Sequence, residues 1–436
     1  MLRYYFLLGL RSLRRNPALT ALMVLTLAVG VAASVSTLTI LHIMSGDPIP
    51  EKSTRLLVPQ LDNGPLQGYV PGTPLPELLS YRDTVNLLAS KQGVRRSAMY
   101  PVGAGIEQAR PDLPVIPARG VAAGRDFFAM FNVPLLYGQP WSEADDTSGA
   151  DVIVITRALS EKLFGAVNPV GRRIVLRGVP FEISGVIGDW HPQPVYYNVA
   201  ASDAFAKDDD FVLPFRSAIR HQTDTDGNTM CSGDGTQPGY QGKLDSECVW
   251  IQFWFEIANQ TDRAALQDYL DAYSADQHKL GRLPRLAKAQ LSNVMEWLDR
   301  MHVVGNDNRL SAWLAFGFLL LCLVNTIGLL LAKFSVRAAE VGIRRALGAS
   351  RGEIFRQFLI ETGVIGLSGG LLGLLLAAGA LQLIKLQSET MARVAHLDLA
   401  MLLLTFGLAL AAALLAGLLP TWRACQVTPA LQLKSQ

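Results

Sequence analysis

Four stretches of the chain contain no Asp, Glu, Lys or Arg: residues 18–46, 310–332, 362–384 and 399–422. A helix needs about 20 residues to cross about 30 Å of hydrocarbon, so each stretch predicts a spanning helix. Their distribution is one plus three. A single span near the N-terminus is followed by residues 47–309, and the other three spans are separated by the short connections 333–361 and 385–398. Residues 1–17 place Leu2, Phe6, Leu10 and Leu13 at helical spacing among basic residues, the pattern of an amphipathic helix lying at the membrane surface. The tail 423–436 follows the last span.

Within residues 47–309 the periodicity alternates between two and 3.6. Asp151 to Thr156, Arg173 to Gly178 and Phe181 to Gly188 read as strands bounded by Gly and Pro turns. Thr156 to Gly165 and Asp262 to Gln277 read as helices, the latter preceded by the polar, cap-like Asn259 to Thr261. The pattern predicts an α-helical membrane protein with four transmembrane helices and a large mixed α/β domain of two discontinuous subdomains. A composition that is 50% hydrophobic and only 17% charged fits this division.

Net charge +2 singles out no class of partner, and no nucleic acid is expected. The placement of charge is more informative. Arg3, Arg11, Arg14 and Arg15 precede the first span, and Lys333, Arg337, Arg344, Arg345, Arg351 and Arg356 lie between the second and third. Arg423 and Lys434 follow the fourth, whereas the connection 385–398 has only Lys385 and Arg393. Positive residues stay on the cytoplasmic side, so both termini and the segment 333–361 are expected there and residues 47–309 are expected to be exported. A signal peptide cleaved near Val31 to Ser34 is the rival reading of the first span, although the uncharged run is longer than a typical signal core.

The segment 333–361 is ordered in its pattern. Glu340 and Arg344 stand four apart with the acid first, the favourable order on a helix. Gly348 supplies a helix stop, and Ser350 followed by Glu353 spells a capping box for a second helix that runs on into the third span. A rigid elbow is expected. In the third span, Gly366, Gly369, Gly370, Gly373 and Ala377 form small-xxx-small steps, which let helices approach closely in lipid. The partner helix belongs either to this chain or to a second copy.

Candidate chemistry is sparse. Gly366 to Gly370 spells Gly-Leu-Ser-Gly-Gly, but a serine nucleophile needs a base within reach and His42 is the only histidine in any of the four spans. Helix packing explains the glycines better. Asp224, Asp226 and Gly227 match the third, fifth and sixth positions of a calcium loop, yet Gln222 and Gly233 stand where its first acid and its bidentate glutamate belong. The histidines lack metal-ligand spacing, and no metal is expected. Cys231 and Cys248 share the exported segment, whereas Cys322 is in a span and Cys425 in the tail. A disulfide is expected for the first pair in an oxidising compartment, two free thiols being the alternative. No Gly-x-x-x-x-Gly-Lys-Ser/Thr run occurs in these residues, so nucleotide, if used, is held elsewhere.

Three stretches together bear a resemblance: Glu340 to Glu361, Gly120 to Trp141, and Ala158 to Asp189, with the ending Gly417 to Lys434. They resemble the MacB/FtsX-type permeases of ABC systems, also called mechanotransmission or type VII ABC transporters, which include the lipoprotein-releasing LolC/LolE pair. Residues 193–249, with both cysteines, match no pattern of the family. The resemblance implies a non-catalytic permease subunit of a bacterial inner membrane with a periplasmic core domain. It implies a cytoplasmic ATPase carrying ATP and magnesium, gripping Glu340, Gly342, Arg344, Arg345, Gly348 and Ala349. A second permease, identical or paralogous, would complete a dimer. The work implied is efflux through an adaptor and an outer-membrane channel, with lipoprotein release or control of a cell-wall hydrolase as alternatives.

Overall fold

The computed structural model describes residues 16–107, 114–231, 238–285 and 287–387, together with residues 407, 410, 411, 414, 417, 418 and 420–422. Residues 1–15 of the surface helix expected over 1–17, residues 388–398 of the connection 385–398, and the tail 423–436 lie outside the described residues. The chain divides into two compact units, residues 46–303 and the pair of segments 1–45 and 304–436.

The chain enters through α1 (Pro17–Ser45). The α/β unit then opens with β1 (Leu56–Gln60), β2 (Leu79–Ser80) and α2 (Tyr81–Ala89), and continues with β3 (Arg95–Glu107), β4 (Ile116–Ala123) and α3 (Asp126–Met130). Next come β5 (Leu135–Gly138), α4 (Glu143–Ser148), β6 (Val152–Thr156), α5 (Arg157–Phe164), β7 (Arg173–Leu176) and β8 (Val179–Ile187). β9 (Phe211–Pro214), α6 (Phe215–Arg220) and α7 (Gly239–Asp245) come next, and β10 (Val249–Glu256), α8 (Thr261–Lys279), β11 (Gln290–Asn293) and α9 (Val294–Arg300) complete the unit.

The strands form one hydrogen-bonded path, β11-β1-β10-β3-β4-β9-β6-β8-β5, with β2 and β7 off it. The two expected subdomains are therefore not separated in the sheet. Most pairs are antiparallel, but β4 runs parallel to β9 and β6 parallel to β8. The β4–β9 pair joins the two halves of the path. Gly120 permits the approach, because a side chain there would overlap the Phe211 carbonyl. β10, Val-Trp-Ile-Gln-Phe-Trp-Phe-Glu, is buried at every position, which explains why its apolar run does not alternate. Ile153, Ile155, Ile183, Phe211, Phe253 and Phe255 share one core.

The excursion 193–249 is tied back at several points. Cys231 and Cys248 form a disulfide, beside which Met230 and Val249 exchange main-chain hydrogen bonds of 3.0 and 2.8 Å. Of the calcium-like acids, Asp224 pairs with Lys243 and Asp226 with Arg119, so both carboxylates have protein cations as partners.

The second unit holds α1, α10 (Asn306–Ser335), α11 (Ala338–Ala346) and α12 (Arg351–Gln387). α1, α10 and α12 are long and apolar enough to cross a membrane. The fourth expected span, 399–422, lies mostly outside the described residues, and its described positions are helical. Gly369, Gly373 and Ala377 of α12 pack against α1 of this chain. A side chain at Gly369 would meet Leu27 of α1, and one at Gly373 would meet Val31 and the Ala28 carbonyl. α1 uses its other flank for α10, placing Gly30 against Cys322 and donating the Ser34 hydroxyl to the Ala315 carbonyl at 3.1 Å.

Candidate functional site: the α10–α11–α12 elbow

Two sharp breaks define the elbow. α10 stops at Ser335, and α11 begins three residues later. At its far end Gly348 takes a φ of +100°, a left-handed conformation that favours glycine, while the Gly348 and Ala349 amides donate to the Arg345 and Arg344 carbonyls at 3.2 and 3.0 Å. These bonds satisfy carbonyls that the end of α11 would otherwise leave open. α12 starts immediately: Ser350 Oγ accepts from the Glu353 amide at 3.2 Å, and Glu353 Oε2 accepts from the Ser350 amide at 3.0 Å.

The inner side of the elbow is apolar. Val341 of α11 is buried with Leu330 and Phe334 of α10, Ile354 and Phe358 of α12, and Met23 of α1. The Phe334 and Phe358 rings lie 4.4 Å apart. Polar groups add directionality to this contact. Arg344 donates to Glu340 at 2.6 Å within α11 and to Gln357 of α12 at 3.0 Å. Deeper, Glu361 receives Lys333 at 2.7 Å and Arg337 at 3.0 Å, and the Lys333 and Glu361 side chains are 0% and 1% exposed. One carboxylate thus ties the end of α10 and the start of α11 to α12.

The six residues that the resemblance assigns to a docking contact fall into two sets. Gly342 is buried, Ala349 is half-buried and packs inward, and Glu340 and Arg344 are engaged within the chain. Arg345 is half-buried and Gly348 is exposed. The outermost groups of α11 and its end are others, Ile343 at 60% and Leu347 at 83% exposure. They stand four apart and form an apolar ridge facing away from Val341. The signal was present in the sequence: a second apolar stripe on a helix whose first stripe is already buried.

Residues 20–273 match the MacB-like periplasmic core domain, and residues 312–429 match the FtsX-like permease C-terminal domain. The chain belongs to the MacB/FtsX-type permease family. It is similar to the pyoverdine export ATP-binding/permease protein PvdT of Pseudomonas aeruginosa, at 27% identity over 85% of this chain and 50% of that protein. It is also similar to the macrolide export ATP-binding/permease protein MacB of Wolinella succinogenes, at 26% identity over 72% of this chain and 43% of that protein. The chain spans about half the length of the curated relatives it matches. Among solved structures, the periplasmic region of MacB from Actinobacillus actinomycetemcomitans aligns over 56% of this chain and 92% of that structure, with 13% identity and a TM-score of 0.35.

Proposed function

We propose that this MacB/FtsX-type chain is the permease of an ABC exporter, and that a cytoplasmic ATP-binding partner outside these residues docks on α11. ATP and magnesium belong to that partner. Closure of the ATPase displaces the elbow, and α10 and α1, the two helices continuous in sequence with the α/β domain, carry the displacement to it. On this reading the domain is periplasmic, both termini are cytoplasmic, and the membrane is a bacterial inner membrane. A second permease completes the dimer, and an adaptor and outer-membrane channel receive the cargo. The relatives named as export proteins and the permease match support this direction.

The observation that carries the reading is the Ile343–Leu347 ridge. Exposed apolar groups on a short helix held from below by Val341, Arg344 and the Glu361 cluster are what a firm protein contact requires, since the free partner has little ordering left to do. Replacing Ile343 and Leu347 by Asp leaves that inner side intact. The double variant is expected to insert normally and lose co-purification of the ATPase. Recovery of the ATPase at wild-type yield would remove α11 as the docking element. A lipoprotein chaperone or a cell-wall hydrolase in place of an adaptor in the same pull-down would redirect the reading of the cargo side.

A further inference from the structure

Two recesses of the α/β domain share Leu88, Thr147, Phe215 and Arg216 along a common rim. The first, of about 400 Å³, is walled by Tyr81, Val85 and Ala89 of α2 and by Ile219 of α6. The second, of about 340 Å³, opens among Arg96, Arg125, Asp126, Glu143 and Asp146. Each has the volume of a small-molecule site. The first mixes apolar side chains with Thr147, Arg216 and Arg220, and the second is charged.

The charges of the second recess are unevenly occupied. Among the described residues, Arg96, Arg125 and Arg216 have no carboxylate at ion-pairing distance. Neutral main-chain oxygens hold them instead: Arg96 Nε donates to the Leu88 carbonyl at 2.8 Å and its Nη1 to that of Gln92 at 3.2 Å, Arg125 Nε to that of Trp141 at 2.9 Å, and Arg216 Nη1 to that of Thr147 at 3.5 Å. These bonds leave Arg96 Nη2, Arg216 Nη2 and both terminal nitrogens of Arg125 without a protein acceptor among the described residues. The acids are more committed. Asp126 Oδ2 accepts from the Arg96 amide at 3.1 Å, and Asp146 Oδ1 accepts from Trp141 Nε1 at 2.7 Å and the Arg125 amide at 3.0 Å. Burial pushes the Asp146 pKa up, against those hydrogen bonds and the nearby charge of Arg216, which lower it. Glu143 lies exposed on the first turn of α4.

We propose that this cleft binds an organic anion with an apolar or aromatic body, its acidic head among Arg96, Arg125 and Arg216 and its body along Tyr81, Val85 and Ile219. Guanidinium groups bind carboxylate and phosphate through charge-assisted, planar pairs, and the adjoining recess supplies apolar surface for the remainder of the ligand. The site is independent of α11 and of the ATPase reading.

The test uses the full chain in lipid nanodiscs, with empty nanodiscs as reference, titrated calorimetrically with 1-naphthoate, 1-naphthyl phosphate and the neutral 1-naphthamide. At least one anion is expected to bind about ten-fold or more tightly than the amide, as one charged hydrogen-bonded contact warrants. The naphthoate and the phosphate distinguish a carboxylate head from a phosphate head. Arg216→Gln should weaken the preferred anion about ten-fold and leave the amide unchanged, whereas Val85→Trp, which fills the apolar recess, should weaken both. Variants are compared only at wild-type unfolding midpoints, and Arg96→Gln replaces Arg216→Gln if that midpoint falls. Equal affinity for anion and amide, anion binding insensitive to the arginine variant, or no binding by the wild type would each overturn the proposal.

Discussion

Glu361 faces two cations with almost no access to solvent, so the three side chains are not equivalent. Removing Lys333 leaves an Arg337–Glu361 pair, whereas removing the Glu361 charge leaves Lys333 and Arg337 facing each other without it. Loss of one partner from a buried pair costs about 3–5 kcal/mol. Glu361→Gln is therefore expected to lower the unfolding midpoint in detergent substantially, and Lys333→Met to lower it less. The double variant should lose less than the sum, because the residues share one network. Equal losses from the two single variants would show that Arg337 does not hold Glu361. In the sequence these residues were three charges at the borders of apolar runs, legible as topology signals. Their convergence depends on the two turns between α10 and α12.

The helices illustrate how one residue type serves different purposes at different places. Gly373 lies on the face of α12 that meets Val31 and the Ala28 carbonyl, whereas a side chain at Gly379 would meet none of the described residues within 4 Å. Gly373→Leu is expected to force α1 and α12 apart, at the cost of about 1–3 kcal/mol that overpacking commonly brings. Gly379→Ala should leave the midpoint unchanged or raise it, since alanine is the better helix former. Thermal unfolding of the two variants side by side checks both, and a tolerant Gly373 would remove this helix pair from the account. The capping box at Ser350 and the stop at Gly348 depend on local hydrogen bonds and φ alone, and for that reason they were legible without tertiary information. The Ile343–Leu347 ridge was not singled out, because an apolar pair on a helix becomes informative only when the opposite stripe is known to be buried.

At the scale of the whole molecule, the division into residues 46–303 and the helical unit gives the disulfide a local reach. Closing a loop of this length is worth about 3 kcal/mol in the chain-entropy model. Replacing Cys231 and Cys248 together by Ser should lower the unfolding transition of the α/β unit while leaving that of the helical unit in place. Calorimetry separates the two, and an unmoved first transition would show that the excursion is held without the bridge.

The sequence by itself determined the first three spans, the borders of the elbow, the strands around Val152–Thr156 and Val179–Ile187, and the pairing of the two cysteines as the expectation. All of these rest on short-range rules: hydrocarbon thickness, helix caps, side-chain alternation and compartment chemistry. Tertiary structure alone decided that Gly369 and Gly373 of α12 face α1 of the same chain, that both halves of the α/β domain share one sheet path through β4 and β9, and that Arg96, Arg125 and Arg216 line one cleft. Each of these depends on which distant segments the folded chain brings together, and no local periodicity encodes that choice.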